Sequence, residues 1–239
     1  PFLIADIKDL MTLRNLVNAG QSFYKKYFKL MSDIDLSDVA NWDPIGRNSR
    51  TPFVGVFDGN NKTISNLKAN GGKWQGLFGF VYAAGHPNVD FAKYSDVYAE
   101  GKFIPSANIK AHDYFAVIKN LTISGAEVKS SGEFAGALAG QLVYAHVSNI
   151  TVRASSVVAD TFAGGVAGDL EGSVVREATV DAESSVGCAT YNAGGIVGGI
   201  GYEQATYGTR YTAVINVRNE ATVGGAKSVA WFHVNGRHV

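Results

Sequence analysis

A phrase of small and apolar residues recurs along this chain at almost constant spacing, and that period limits the folds open to it. It reads Gly76-Leu77-Phe78-Gly79, then Ala137-Leu138-Ala139-Gly140, Gly165-Val166-Ala167-Gly168 and Gly195-Ile196-Val197-Gly198. Its last glycine advances by 61, 28 and 30 residues. A second phrase interleaves with it, at Ile64-Ser65-Asn66-Leu67, Ile118-Lys119-Asn120-Leu121-Thr122-Ile123, Val147-Ser148-Asn149-Ile150-Thr151-Val152, Val175-Arg176-Glu177-Ala178-Thr179-Val180 and Arg218-Asn219-Glu220-Ala221-Thr222-Val223. A unit of 28 to 30 residues is too short to bury an apolar face alone and must stack on its copies.

Both phrases are short, β-branched and bounded by Gly, Asn and Ser, which reads as strands. Stacking the units aligns three apolar columns: Leu77, Leu138, Val166, Ile196; then Leu121, Ile150, Ala178, Ala221; then Ile123, Val152, Val180, Val223. Gly76, Ala137, Gly165 and Gly195 keep one wall small, so that backbone or large neighbours such as Phe134 and Phe162 can approach. Ile118 and Leu121 are three apart and cannot both face inward on a straight strand of period two. Asn120 stands at that parity break, and Asn accepts the left-handed conformation of a corner. Strand, corner and strand, repeated in register, give an all-β parallel β-helix, or β-solenoid.

The two ends differ from the middle. Asp6 can cap an amphipathic helix over residues 6–19, with Leu10, Leu13, Leu16 and Val17 on one side and Gly20 as its stop. Tyr27 to Leu36 and Phe53 to Phe57 read as strands, with Asp58-Gly59-Asn60 as a turn. Residues 226–239 carry no further glycine phrase and read as a tail, a C-terminal cap or a truncated repeat. The whole of residues 1–239 is expected to be one domain. Starting at Pro1 without Met or signal peptide, the chain reads as a processed or trimmed piece.

Trp42-Asp43-Pro44-Ile45-Gly46, Phe53-Val54-Gly55-Val56-Phe57-Asp58-Gly59, Ile64-Ser65-Asn66-Leu67 and Gly76-Leu77-Phe78-Gly79 together resemble the GLUG-motif repeat proteins of bacterial cell surfaces. The entry phrase Tyr27-Phe28-Lys29-Leu30 with Asp33-Ile34-Asp35-Leu36 is similar to theirs as well, and the likeness spans most of residues 2–225. Only the first glycine phrase is complete; later copies soften to Ala and Val. The resemblance implies a right-handed parallel β-helix, here with the short N-terminal capping helix read above, in a secreted, often adhesin-like or modular surface protein. It carries no catalytic residues to transfer.

Nine residues separate the last glycine of the phrase from the Asn or Glu corner at 140–149 and again at 168–177, but the matching spans 79–120 and 198–220 are 41 and 22. Two insertions, over residues 82–116 and 200–213, therefore leave the stack at one point of the coil, and solenoids bind ligands on such faces. At ~4.8 Å per coil their roots stand about 14 Å apart. Tyr94 and Tyr98 in the first, with Tyr207, Arg210 and Tyr211 in the second, form the candidate ligand-binding set: ring faces for sugars and a cation for a carboxylate. The competing reading is that these tyrosines pack the insertions onto the solenoid.

Other signals are weaker. Asp33, Asp35, Asp38 and Asp43 suit turns and caps better than calcium or glycoside chemistry. The five histidines (86, 112, 146, 233 and 238) lack zinc spacing, so no metal or other cofactor is expected. Cys188 is alone and reads as a small filler. The outward column Thr122, Thr151, Thr179 and Thr222 is followed by residues too mixed for an ice lattice. With 21 basic and 21 acidic residues a nucleic-acid partner is not expected, and no apolar run suffices to insert into a membrane. The expectation is a non-catalytic, extracellular or cell-surface module that binds a glycan or a host or cell-surface protein within a larger protein. The alternatives are a polysaccharide lyase or glycoside hydrolase, for which His86, Asp96, His112 and Arg210 would be nominated, and a passive stalk.

Overall fold

The structure is a computed structural model that describes residues 1–83, 116–200 and 212–225, together with the backbone of Ser228–Ala230. The chain forms an all-β parallel β-helix. Each coil visits four sheets in turn, and every strand pairing is parallel, so backbone groups are satisfied by the coils above and below. Sheet 1 runs from Phe2–Ile4 through Tyr27–Leu30, Gly55–Ser65, Ala116–Ser124, Ala145–Arg153 and Val174–Val180 to Ala213–Ile215. Sheet 2 contains Lys68–Gly71, Glu127–Ser130, Ser156–Ala159, Ser185–Cys188 and Thr222–Gly225. Sheet 3 contains Trp74–Gln75, Phe134–Gly136, Phe162–Gly164, Asn192–Gly194 and Ser228–Ala230. Sheet 4 contains Phe78–Tyr82, Ala139–Val143, Ala167–Glu171 and Val197–Ile200.

The long strands of sheet 1 turn a corner without leaving the ladder. Asn120, Asn149 and Glu177 take φ of 55°, 53° and 54° there, and Leu121, Ile150 and Ala178 pair with one another immediately beyond. Asn149 Nδ2 donates to Asn120 Oδ1, and Asn120 Nδ2 to Asp58 Oδ1, each at 3.0 Å. Stacked coils thus align side-chain amides into a ladder, which compensates the cost of left-handed backbone. The ladder starts on Asp58, a nearly buried carboxylate that also accepts from Asn60 N–H and Tyr27 Oη and has Lys119 Nζ at 3.5 Å. The expected Asp58-Gly59-Asn60 turn is this corner in a longer form: Asn60 and Asn61 both have positive φ, and the pairing shifts between Asp58 and Lys62.

Sheets 3 and 4 meet at the glycine phrase, and contact is so close that side chains are excluded. A Cβ on Gly164 would lie 1.9 Å from Ala167 O, and one on Gly140 2.9 Å from both Trp74 Cα and Gln75 N. The aromatic approach expected at Gly165 falls three residues later, at Gly168. Gly165 faces Gly195 O and Val180, whereas the last glycine of the phrase meets the aromatic strand: a Cβ on Gly168 would lie 3.0 Å from Phe134 Cβ. Leu77, Leu138, Val166 and Ile196 are buried as expected.

At the N-terminal end the first coil is closed by a helix. Phe2–Ile4 pairs with Phe28–Leu30, and between them the helix Ile7–Asn18 replaces the remaining strands of that coil. Asp6 caps it, accepting from Lys8 and Asp9 N–H, and Gly20 follows at φ 95°. Leu10, Leu13 and Val17 are buried, but Leu16 is 40 % exposed. The expectation for Leu16 fails because it lies about 100° around the helix from Val17, past the edge of the buried stripe. Asn18 ties the helix to the next coil, donating to Pro44 O and accepting from Gly46 N–H, both at 2.9 Å. The strand expected at Tyr27–Leu36 is split into Tyr27–Leu30 and Ile34–Asp35, and that expected at Phe53–Phe57 starts at Gly55.

The last coil departs from the repeat alignment. Thr179 and Val180 pair with Arg218 and Asn219, while Val223 pairs with Val186. Ala221, Thr222 and Val223 therefore do not continue the columns of Ala178, Thr179 and Val180, and the corner is Asn216 at φ 51° rather than Glu220. The phrase Glu220-Ala221-Thr222-Val223 imitates Glu177-Ala178-Thr179-Val180, but hydrogen-bond register rather than local likeness decides its place. Thr63 instead completes the column of Thr122, Thr151 and Thr179. Ser228–Ala230 adds a strand to sheet 3, so the chain continues the stack beyond residue 226.

Two outcomes test this packing. Leu13→Asp places a charge in the core and lowers stability by several kcal/mol, whereas Leu16→Asp leaves the denaturation midpoint nearly unchanged; equal midpoints would show that the helix does not close the coil. The second concerns pH. Burial raises the Asp58 pKa, but bonds from Tyr27, Asn60 and Asn120 and the Lys119 charge outweigh it and leave it below 3.8. Its stabilisation is therefore present above that value and is lost as pH falls through the lower folded pKa. Burial, then the hydrogen bond and charge of Asp58, push the Tyr27 phenol from 10.0 up to about 12, so stability also falls as pH rises from 10 through 12. Denaturation followed against pH should show a flattened acid limb in Asp58→Asn and a flattened alkaline limb in Tyr27→Phe; unchanged limbs would remove both groups from the account.

Candidate functional site

Both insertions interrupt the same corner, where sheet 4 hands the chain to sheet 1. In uninterrupted coils this corner is tight: Tyr144, at φ 53°, joins Ala139–Val143 to Ala145–Arg153, and Gly172, also at φ 53°, introduces the turn from Ala167–Glu171 to Val174–Val180. The first insertion separates Phe78–Tyr82 from Ala116–Ser124, and the second separates Val197–Ile200 from Ala213–Ile215. These sheet 4 strands are the first and last in the order of four, so the roots span three coil steps, roughly 14 Å. Because the corner falls at Asn216, the second insertion is shorter than the repeat alignment implies: Ala213 pairs with Val174, 39 residues earlier, against 28 between Val174 and His146.

Tyr94, Tyr98, Tyr207, Arg210 and Tyr211 lie outside the described residues, as do His86, Asp96 and His112. The described part of the corner holds a polar cluster that the repeat analysis did not single out. Sheet 4 carries an outward column of Phe80, Gln141, Asp169 and Gly199, and beside it one of Tyr82, Val143 and Glu171. Gln141, Asp169 and Glu171 are all buried although this face points away from the solenoid core. Gln141 Nε2 donates to Asp169 Oδ2 at 3.1 Å and to Glu171 Oε1 at 3.4 Å, and Trp74 Nε1 donates to Gln141 Oε1 at 2.9 Å. One amide therefore links an indole to two acids. Phe134 and Phe162 stack beside it with centroids 5.7 Å apart, and His146 is buried in the adjoining outward column of sheet 1 between Val117 and Val174. The available signal was alternation: in Ala139-Gly140-Gln141-Leu142-Val143 and Ala167-Gly168-Asp169-Leu170-Glu171 the polar residues Gln141, Asp169 and Glu171 fall on the face opposite Leu142 and Leu170.

Three of the acids weighed from sequence hold turns and neighbouring coils together. Asp33 accepts from Thr63 N–H of the next coil at 2.8 Å, and Asp35 accepts from Ser37 N–H and Asn66 Nδ2. The Asn66 and Ser37 bonds hold the Asp35 carboxyl below its ordinary pKa. Asp43 takes Asn18 Nδ2 and faces Arg47 at 3.6 Å. Cys188 is half-buried against the core, its thiol donating to Thr161 O at 2.8 Å. Among the described residues no group of three His, Cys, Asp or Glu side chains stands close enough to hold a metal. Among them too, no helix is long and apolar enough to cross a membrane.

No family model matches the chain. Over 90 residues it is 39 % identical to halomucin from Haloquadratum walsbyi, a stretch that is 36 % of this chain and 1 % of halomucin. Among solved structures it is similar to a Bacteroides ovatus protein provisionally named an immunoglobulin A1 protease, with a TM-score of 0.57, 20 % identity, and coverage of 94 % of this chain and 67 % of that one. At that identity the likeness is one of fold: both are parallel β-helices.

Gln141→Leu removes the amide shared by Trp74, Asp169 and Glu171 and leaves buried polar atoms one partner short. A loss of about 1–3 kcal/mol in urea denaturation is expected. Parent-like stability would show that the bridge is dispensable.

Proposed function

We propose that this chain is a non-catalytic module of a secreted or cell-surface protein, adhesin-like in action, which binds a glycan or a surface protein through its loop-bearing corner. The observation that carries the reading is the rooting of both insertions at one corner of a stack whose intervening coils turn there directly. A spacer needs no such insertions, and two of them about 14 Å apart suit a ligand larger than a single residue. Their aromatic and charged content, Tyr94, Tyr98, Tyr207, Arg210 and Tyr211, suits sugar faces and hydroxyls. The resemblance to the GLUG-motif proteins supports the surface location. So does the extent of likeness to halomucin: 90 residues amount to about three coils within a protein of which they form 1 %.

Glycan-array screening followed by titration of the hit tests the reading. Tyr→Ala at a residue that stacks on the ligand weakens binding by about 1 kcal/mol or more with the melting temperature unchanged. If all of Tyr94, Tyr98, Tyr207 and Tyr211 can be replaced without loss of binding, or if loss of binding follows loss of stability, the corner is packing and the stalk reading replaces this one. Unsaturated or reducing-end products from a bound polysaccharide would replace it with an enzyme.

A further inference from the structure

A recess lined by described residues lies at the N-terminal end of the same corner. It is a cleft of about 400 Å³ between the C-terminal end of the helix and the segment from Arg50 to Val54. Such a volume is in the range of small-ligand sites, ~300–1,000 Å³. Its position follows from the chain path. Gly20 breaks the helix at φ 95°, so Gln21, Ser22 and Tyr24 leave along one wall. The opposite wall is anchored in the stack, because Phe53 N–H donates to Phe80 O at 3.0 Å and Tyr82 N–H to Phe53 O at 3.2 Å. Tyr82, the last residue of the sheet 4 strand Phe78–Tyr82, closes the cleft on that side.

The lining has three chemical parts. Val17, Pro52 and Val54 give an apolar floor, and Tyr24 and Tyr82 contribute ring faces. Gln21, Ser22 and Thr51 contribute amide and hydroxyl groups. Arg50 supplies the charge. Its turn is fixed by Asn48 Oδ1, which accepts from Arg50 N–H and Thr51 N–H at 2.9 and 3.2 Å. Its side chain is exposed, and among the described residues its guanidinium stands in no ion pair. The two segments that form the walls, residues 20–26 and 46–54, contain Lys25, Lys26, Arg47 and Arg50 and no acid, while Asp43 close by is engaged by Arg47 and Asn18. Among the described residues the Arg50 guanidinium thus stands without an acidic partner beside ring faces and hydroxyls.

We propose that this cleft binds a carboxylate-bearing saccharide, with Arg50 pairing the carboxylate and Tyr24 and Tyr82 flanking the sugar ring. An acidic peptide offers a carboxylate too, but the hydroxyl and amide groups of Gln21, Ser22 and Thr51 fit a polyhydroxylated ligand better. The inference rests on the glycan form of the proposed function and adds to it a site and a ligand class.

The test is calorimetric titration of the full chain with 3′-sialyllactose and a glucuronate-containing tetrasaccharide, with lactose as neutral control and a tetraglutamate peptide as acidic control. At least one acidic saccharide should bind tenfold or more tightly than lactose and than the peptide, and raised salt should weaken it. Arg50→Gln should abolish that preference and Arg50→Lys should restore part of it, both with parent-like melting because the Arg50 side chain has no ion pair or hydrogen bond to lose among the described residues. Equal affinity for lactose, tighter binding of the peptide, an unaffected Arg50→Gln variant, or no binding of either acidic saccharide each overturns the proposal. Loss of saccharide binding in Tyr207→Ala and Tyr211→Ala, with Arg50→Gln unaffected, would refute the cleft and leave the loop-bearing corner in place.

Discussion

Everything in this protein depends on parallel hydrogen bonding from one coil to the next. Each coil satisfies its backbone only if its strands stand in register with those of its neighbours, and the four sheets enforce that register together. The corners must then turn the chain without spoiling the ladder, which is why left-handed residues recur at equivalent positions and glycines stand where sheets 3 and 4 touch. The Asn149–Asn120–Asp58 ladder repeats the same logic in side chains: once backbones are stacked, equal residues at equal positions can bond to each other.

This dependence explains what could be read from sequence. Columns such as Leu77, Leu138, Val166 and Ile196 were legible because stacking imposes the same burial on every coil. The Asn corner was legible because Ile118 and Leu121 cannot both face inward on a straight strand. The final coil misled because Glu220-Ala221-Thr222-Val223 is a closer local copy than the segment that occupies the register, Ile215 to Asn219, in which Asn216 makes the corner and Val217 is buried. Local likeness carries no information about which neighbour offers free hydrogen-bonding groups. Leu16 misled on a smaller scale, an apolar side chain one step beyond the edge of a helix face.

The site was legible in outline and not in content. Insert lengths located the corner, and register confirms that both roots share it. The cluster of Gln141, Asp169, Glu171 and His146 was invisible to column analysis, since Phe80, Gln141, Asp169 and Gly199 have nothing in common as residue types. Its burial sets this corner apart from an ordinary solvated solenoid face. Arg50 escaped notice for a different reason. The role proposed for it depends on a helix end meeting the second coil, a juxtaposition that no repeat encodes.

The central claim is that register between whole coils, rather than any local segment, specifies this fold. Deleting residues 145–172 removes one coil and joins Tyr144 directly to Ser173, which occupies the position of Ala145 in the next coil. Circular dichroism with thermal denaturation of this variant, beside one lacking only residues 145–158, is the direct measurement. The account predicts a β spectrum and cooperative melting for the whole-coil deletion, because the new neighbours meet in register, and loss of folded structure for the half-coil deletion. Equal unfolding of both, or equal folding of both, would contradict it.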